Sequence, residues 1–345
     1  MNEKAYYESV NTKNELKLRE LQKELPPFCR EFFIGMKASV SSRTLLAYAY
    51  DLGIFFDFIH QNNPICAKKP VNEFTIDLLD HISPMDIEEY LDYLRVYEKD
   101  GVAHTNDERG ISRKLASLRS FYNYYFCKEM ITKNPAQLVR MPKKHEKTIT
   151  RLDVDEVAML LDEVESGEKL TERQQKFHEQ TKCRDLAIMT LLLGTGIRVS
   201  ECVGLDITDV DFRNNGIKVH RKGGAEVVVY FGDEVRTALL NYLEERNTIE
   251  AVEGSTNALF LSLQKKRIGV RAVKKYSKLI TTMKNITPHK LRSTYGTSLY
   301  RETGDIYLVA DVLGHKDVNT TKKHYAALED ERRRTAPKYI HLRDE

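Results

Sequence analysis

Five apolar residues, Ile111, Leu115, Leu118, Tyr122 and Tyr125, follow one another at spacings of four, three, four and three. That rhythm is helical, because residues three and four apart share one face of a cylinder with 3.6 residues per turn. It commits the stretch to an amphipathic helix, with Arg113, Lys114 and Arg119 placed away from the packed stripe. Leu45, Leu52, Phe55, Phe56 and Ile59 predict a second helix over 39–60, with Ser41 or Ser42 as its cap. Ser83-Pro84 predicts the start of a third, carried by Ile87, Tyr90, Leu91 and Leu94, since the missing N–H of proline leaves no bond unmade in a first helical turn. Residues 27–140 are therefore expected to form an all-helical domain, preceded by a polar helical extension, 1–26, that Pro26-Pro27 closes.

The rhythm then changes once. Val210 to Phe212, Ile217 to His220 and Val227 to Phe231 are short runs of strand formers separated by Asn214-Asn215-Gly216 and Lys222-Gly223-Gly224. Asn-Gly and Gly-Gly steps supply the positive backbone angles of tight hairpins, so an antiparallel three-stranded meander is expected. Helices are expected around it, over 153–164 and 185–193, from about Glu234, after Thr287-Pro288, from about Asp305 and near Thr320. Residues 141–150, MPKKHEKTIT, are polar and aperiodic and read as a linker, while 165–182 is a polar excursion with no assigned structure. The expected fold class is mainly α, with an all-helical first domain, a mostly helical second domain over 151–330 holding the small sheet, and a tail over 331–345.

Composition narrows the classes of function. A length of 345 residues suits two domains, and the sequence holds no run of about 18 apolar residues that would cross a membrane. The charged start, MNEKAYYESVNTKNELK, is unlike a signal peptide, so a cytoplasmic protein with no membrane partner is expected. Five widely spaced cysteines without a CxxC pair suit neither a disulfide scaffold nor a zinc site, and no metal or cofactor is expected. The net charge is only +3, but Leu261 to Arg301 carries eleven Lys or Arg and no Asp or Glu, and 101–150 carries ten basic residues against four acidic. Local excesses of this kind are the footprint of a phosphate-backbone binder, with solvated helix faces as the ordinary alternative. The candidate DNA-binding residues are Arg113, Lys114, Arg119, Lys143, Lys144, Lys265, Lys266, Arg267, Arg271 and Lys274.

Four further segments hold polar residues that a fold alone would not request. They are GTGIRVSE with Arg198, the turn lysine Lys222, His289-Lys-Leu-Arg292, and Leu-Gly-His315 followed by Tyr325. Each has an ordinary explanation when taken alone: a surface arginine, a solvated lysine, a half-buried histidine, one of 18 tyrosines. Their order on a helical domain with one small sheet resembles the catalytic signature of the tyrosine recombinase, or phage integrase, family. LLLGTGIRVSE, TPHKLRSTYGTSLY and DVLGHKDVNTTKKHY are most similar to the Xer chromosome-dimer recombinases within it, and the length and polar extension to their single-recombinase form.

The resemblance implies a two-domain DNA clamp whose first domain is the core-binding domain. It implies Tyr325 as nucleophile, Arg198 and Arg292 as phosphate clamps, Lys222 as general acid, and His289 and His315 as the rest of the pocket. It further implies strand exchange through a 3′-phosphotyrosyl intermediate and a Holliday junction, without metal or ATP. Its partners would be double-stranded DNA at a specific recombination site, three further copies in a homotetramer on two sites, and a septal DNA translocase. The chemistry is physically coherent. Two guanidiniums take the non-bridging oxygens in charge-assisted bonds, a histidine accepts the tyrosine proton, and a lysine on a hairpin protonates the leaving 5′ oxygen. The lysine turn reads Arg221-Lys222-Gly223-Gly224, where Xer proteins often have Gly-Lys-Gly. The alternatives are an integrase of a phage or conjugative element, a type IB topoisomerase, and a DNA-binding regulator with a dead pocket.

Overall fold

The computed structural model describes residues 4–64, 66–143, 151–221, 224–280, 286–315 and 318. The chain divides into two compact units, the first from Lys4 to Lys147 and the second from Thr148 onward.

The first unit runs α1 (Lys4–Leu21), α2 (Cys29–Met36), α3 (Ser42–Asn62), α4 (Leu78–His81), α5 (Pro84–Tyr93), a hairpin of β1 (Val96–Lys99) and β2 (Val102–Thr105), α6 (Glu108–Cys127) and α7 (Pro135–Leu138). Local chemistry sets the starts. Ser41 accepts the Thr44 N–H at 3.3 Å, and Ser83 and Asp86 cap each other reciprocally ahead of Pro84. The core is aromatic. Phe32, Phe56, Phe121 and Tyr125 are fully buried, with Phe32 and Phe121 meeting edge to face at 5.1 Å. Leu18 and Leu25 sink into this same core, so the polar extension is an integral layer of the unit. Asn14 of α1 also donates to Ser42 at the start of α3 at 3.1 Å.

The β1–β2 hairpin corrects the expectation of an all-helical first domain. Val96 pairs with Thr105 and Lys99 with Val102, around a turn in which Asp100 and Gly101 both have positive φ, 54° and 72°. Asp-Gly is a strong hairpin signal, and here it overrides the helical surroundings. Lys114 is the second correction. It is 6% exposed and donates to Asn106 Oδ1 at 2.7 Å, because position 114 lies three after Ile111 and four before Leu118 and so falls within the packed face.

The second unit runs α8 (Val154–Ser166), α9 (Glu172–His178), α10 (Lys182–Thr195), α11 (Val199–Cys202), the sheet β3 (Val210–Asp211), β4 (Gly216–His220) and β5 (Glu226–Tyr230), then α12 (Asp233–Thr248), α13 (Val270–Ile280), α14 (Pro288–Thr303) and α15 (Ile306–Leu313). The sheet is the antiparallel meander β3-β4-β5, with Val210 opposite Ile217 and Ile217 opposite Val229. Buried Ile188, Met189, Leu191 and Leu192 make α10 the spine of this unit, and α12 lays Val235, Leu239 and Tyr242 into the same core. Tyr242 stacks on Phe260 at 5.4 Å. The 165–182 excursion contains α9, whose Thr171 and Gln174 form a capping box. Its buried His178 sits against Gly167. The helix expected near Thr320 and the 331–345 tail lie outside the described residues, as does most of the 141–150 linker.

Candidate active site

Two glycines let Arg198, Arg292 and His315 come together. Gly196 ends α10 and Gly314 ends α15, each at φ 62°, a left-handed angle that a side chain would strain. A Cβ at Gly196 would collide with Tyr295 of α14, and one at Gly314 with the guanidinium of Arg221. The bare backbones let the end of α10, the middle of α14 and the end of α15 approach closely.

Arg198 follows the first glycine as the N-cap of α11. Its N–H donates to Glu201 Oε2 at 2.7 Å, its Nη1 to Glu201 Oε1 at 2.8 Å, and its Nη2 reaches the Gly314 carbonyl at 3.4 Å. Glu201 is buried, so one carboxylate fixes both the backbone and the side chain of Arg198, whose side chain stays 37% exposed. A guanidinium carries five N–H donors, and these contacts orient it without exhausting it. Arg292 comes from α14 and is only 5% exposed. It donates from Nη1 to the Gly196 carbonyl at 2.6 Å and from Nη2 to the Leu313 carbonyl. The two arginines, remote in sequence, thus meet on the final turn of α15.

His315 is the next residue after that turn. It is half-buried, and its N–H donates to the Ala310 carbonyl at 2.9 Å, closing the helix end. His289 lies one turn before Arg292, exposed in the first turn of α14, where its carbonyl accepts from Ser293 Oγ at 3.1 Å. Lys222 and Tyr325 lie outside the described residues. Two other tyrosines stand near. Burial pushes the Tyr295 hydroxyl above its ordinary pKa, and Tyr300 is packed with Val309 and Leu313.

The basic candidates separate into two groups. Lys265, Lys266, Arg271, Lys274 and Lys143 are exposed. On α13, Arg271, Lys274, Lys275 and Lys278 form one exposed stripe, while Val273, Ser277 and Ile280 are buried on the other side. Lys143 lines a cleft of about 770 Å³ in the first unit, where Arg95, Arg109 and Arg140 share the wall with Glu88 and Asp92. The other group is engaged by acceptors of the protein itself, although the Arg113 side chain stays 51% exposed. Arg119 donates to the carbonyls of Ala136 and Val139, Arg267 to those of Val203 and Leu205 and to Asp206, and Arg113 holds Asp51. Burial holds the Lys114 ammonium below its ordinary pKa. Lys144 lies outside the described residues. No three of His, Cys, Asp and Glu among the described residues are grouped to hold a metal ion, and no helix among them is long and apolar enough to cross a membrane.

Residues 150–332 match the model of the phage integrase family. The chain is 33% identical to tyrosine recombinase XerC of Caldanaerobacter subterraneus subsp. tengcongensis, over 90% of its own length and 86% of that protein. The chain belongs to the phage integrase family. Its members are tyrosine recombinases, enzymes that transfer DNA strands. A second relative, tyrosine recombinase XerC of Leptospira interrogans, is 31% identical over 84% of this chain and 85% of that protein. The fold is that of the XerH site-specific recombinase solved bound to a palindromic difH substrate, with a TM-score of 0.63 at 18% identity over 87% of this chain and 80% of that one.

The sequence assigns no role to Glu201 or Arg221, although both contact this cluster. The spacing of Glu201, three after a residue that starts a helix, is a capping signal. Arg221 is marked only as the residue that stands where Xer proteins often have glycine before the turn lysine.

Proposed function

We propose that this protein is a site-specific recombinase that resolves chromosome dimers in the cytoplasm, acting as a homotetramer on two copies of one DNA site with help from a septal DNA translocase. The observation that carries the reading is the meeting of Arg198 and Arg292 on the turn that ends in His315. Two guanidiniums at one helix end suit a phosphate whose non-bridging oxygens gain charge in the transition state. Tyr325 attacks phosphorus and gives its proton to His289. The bond to the 5′ oxygen breaks as Lys222 donates a proton to it, and His315 hydrogen-bonds the phosphate. The 3′-phosphotyrosine keeps the bond energy, so ligation into the partner duplex, through a Holliday junction, reverses cleavage without ATP or metal.

The two units clamp one duplex. The exposed stripe of α13, with Arg271 and Lys274, and Lys265, Lys266 and Lys143 meet the phosphate backbone. Lys114, buried against Asn106, takes no part in that contact.

The test uses Tyr325→Phe. Sequencing the DNA covalently attached to the wild-type chain in cells identifies the site, and a nicked duplex of that sequence then traps the adduct on a denaturing gel. The expected result is no adduct with Tyr325→Phe and near-normal site binding; an adduct that persists overturns the assignment.

A further inference from the structure

Four consecutive carbonyls, those of Asp311, Val312, Leu313 and Gly314, are served by three arginines from three different elements. Arg198 and Arg292 belong to the recombinase signature. The third, Arg221, does not. Its backbone closes the base of the β4–β5 turn, the N–H donating to the Ala225 carbonyl at 2.8 Å and the carbonyl accepting from Gly224 at 3.1 Å. Its side chain leaves the sheet and donates from Nη1 to Asp311 at 3.1 Å and from Nη2 to Val312 at 2.6 Å. The last carbonyls of a helix have no partner within it and form the negative end of its dipole, so a planar guanidinium fork is suited to hold two of them at once. The fork lies so close to Gly314 that any side chain there would strike it.

We propose that Arg221 is a positioning residue that locks the hairpin turn carrying Lys222 to the helix end that carries His315. This rests on the recombinase reading, in which Lys222 protonates the leaving 5′ oxygen. A lysine side chain has a long, flexible stem, so the backbone from which it springs sets where its ammonium can reach. Arg221 supplies the tie one peptide bond before Lys222. It adds no group to the reaction. In the step it supports, the tyrosine oxygen forms the new bond to phosphorus, the bond from phosphorus to the 5′ oxygen breaks, and the lysine proton goes to that oxygen. A fixed turn shortens the search of the lysine for its acceptor, and small misplacements of a proton donor cost on the order of 10²-fold.

The experiment compares two duplexes of the site recovered by sequencing, one natural and one with sulfur replacing the 5′ oxygen at the scissile position. A thiolate, with a thiol pKa of about 8.5, leaves without a proton, so it bypasses the general acid. Arg221→Ala is expected to slow adduct formation roughly 10- to 100-fold on the natural duplex and to stay within about 3-fold of wild type on the sulfur duplex. Arg198→Ala, which weakens the phosphate clamp, is expected to lose rate on both. Arg221→Lys retains one donor and the charge, so it should lose less on the natural duplex and nothing on the sulfur one; it also serves should the alanine variant fail to fold. Equal losses on both duplexes with Arg221→Lys, or no loss on either with a folded Arg221→Ala, overturn the positioning role. A wild-type chain that forms no adduct on the sulfur duplex overturns the recombinase reading itself.

Discussion

Two arginine sites, one in each unit, put the same side chain to opposite uses. In the first unit Arg113 pairs with Asp51, a carboxylate 3% exposed that also accepts from Ser117 Oγ at 2.6 Å. One charge is cancelled by one charge, and α3 and α6 are fastened together. In the second unit three guanidiniums gather at the end of α15, and the described carboxylate among them, Glu201, binds one. A helix C-terminus offers only about half a negative charge, so the cluster is positioned by the backbone rather than neutralised by it. Arg113 and Asp51 cancel one another, whereas three guanidiniums gathered with one described carboxylate leave a positive field that a phosphate can use.

The largest effect expected from this contrast is on stability in the first unit. Arg113→Ala leaves the buried Asp51 carboxylate with Ser117 and the neighbouring Lys114 ammonium but without its ion-pair partner, which should cost about 3 kcal/mol of unfolding free energy in urea melts. DNA cleavage by the folded fraction should be unchanged. A large loss of cleavage at intact stability would erase the distinction between the two sites.

Arg292→Ala should do the reverse. Cleavage is expected to fall on the order of 10²-fold or more, with site binding reduced far less, because the guanidinium acts mainly where charge develops in the transition state. Single-turnover adduct formation and gel shift, measured on the same duplex, separate the two. Equal loss of binding and rate would make Arg292 a ground-state contact.

The smallest effect sharpens the comparison within the first unit. Lys114 is buried with Asn106 as its polar partner, and burial lowers its pKa. Lys114→Met keeps the stem and removes the ammonium, so the change in stability should stay within about 1.5 kcal/mol. DNA affinity and its salt slope should be unaltered, whereas removing Arg271, Lys274, Lys275 and Lys278 together should flatten the slope by up to about 0.9 for each phosphate that is no longer neutralised. A Lys114→Met variant with a shallower salt slope would return that residue to the DNA-facing set.

Local chemistry made much of the fold legible. Ser83-Pro84 and Thr287-Pro288 start helices where capping rules place them, and Asn215-Gly216 turns the meander. The Asp100-Gly101 hairpin was equally local, and its signal lay in the chain although the helical rhythm around it concealed it. The order of residue types singled out Arg198, Arg292 and His315, which the fold brings to one helix end, without saying what would hold them there.

The sequence by itself determined where helices and turns begin, because a cap, a proline or an Asn-Gly step acts within three or four residues and needs no distant partner. Only the tertiary structure decided which acceptor each arginine meets. Arg221 meets Asp311 across 90 residues and Arg113 meets Asp51 across 62, and no periodicity carries information over such distances. The physical reason is that a guanidinium takes its role from the acceptor it finds. A carboxylate or a helix end becomes that acceptor only once packing has brought remote segments of the chain together.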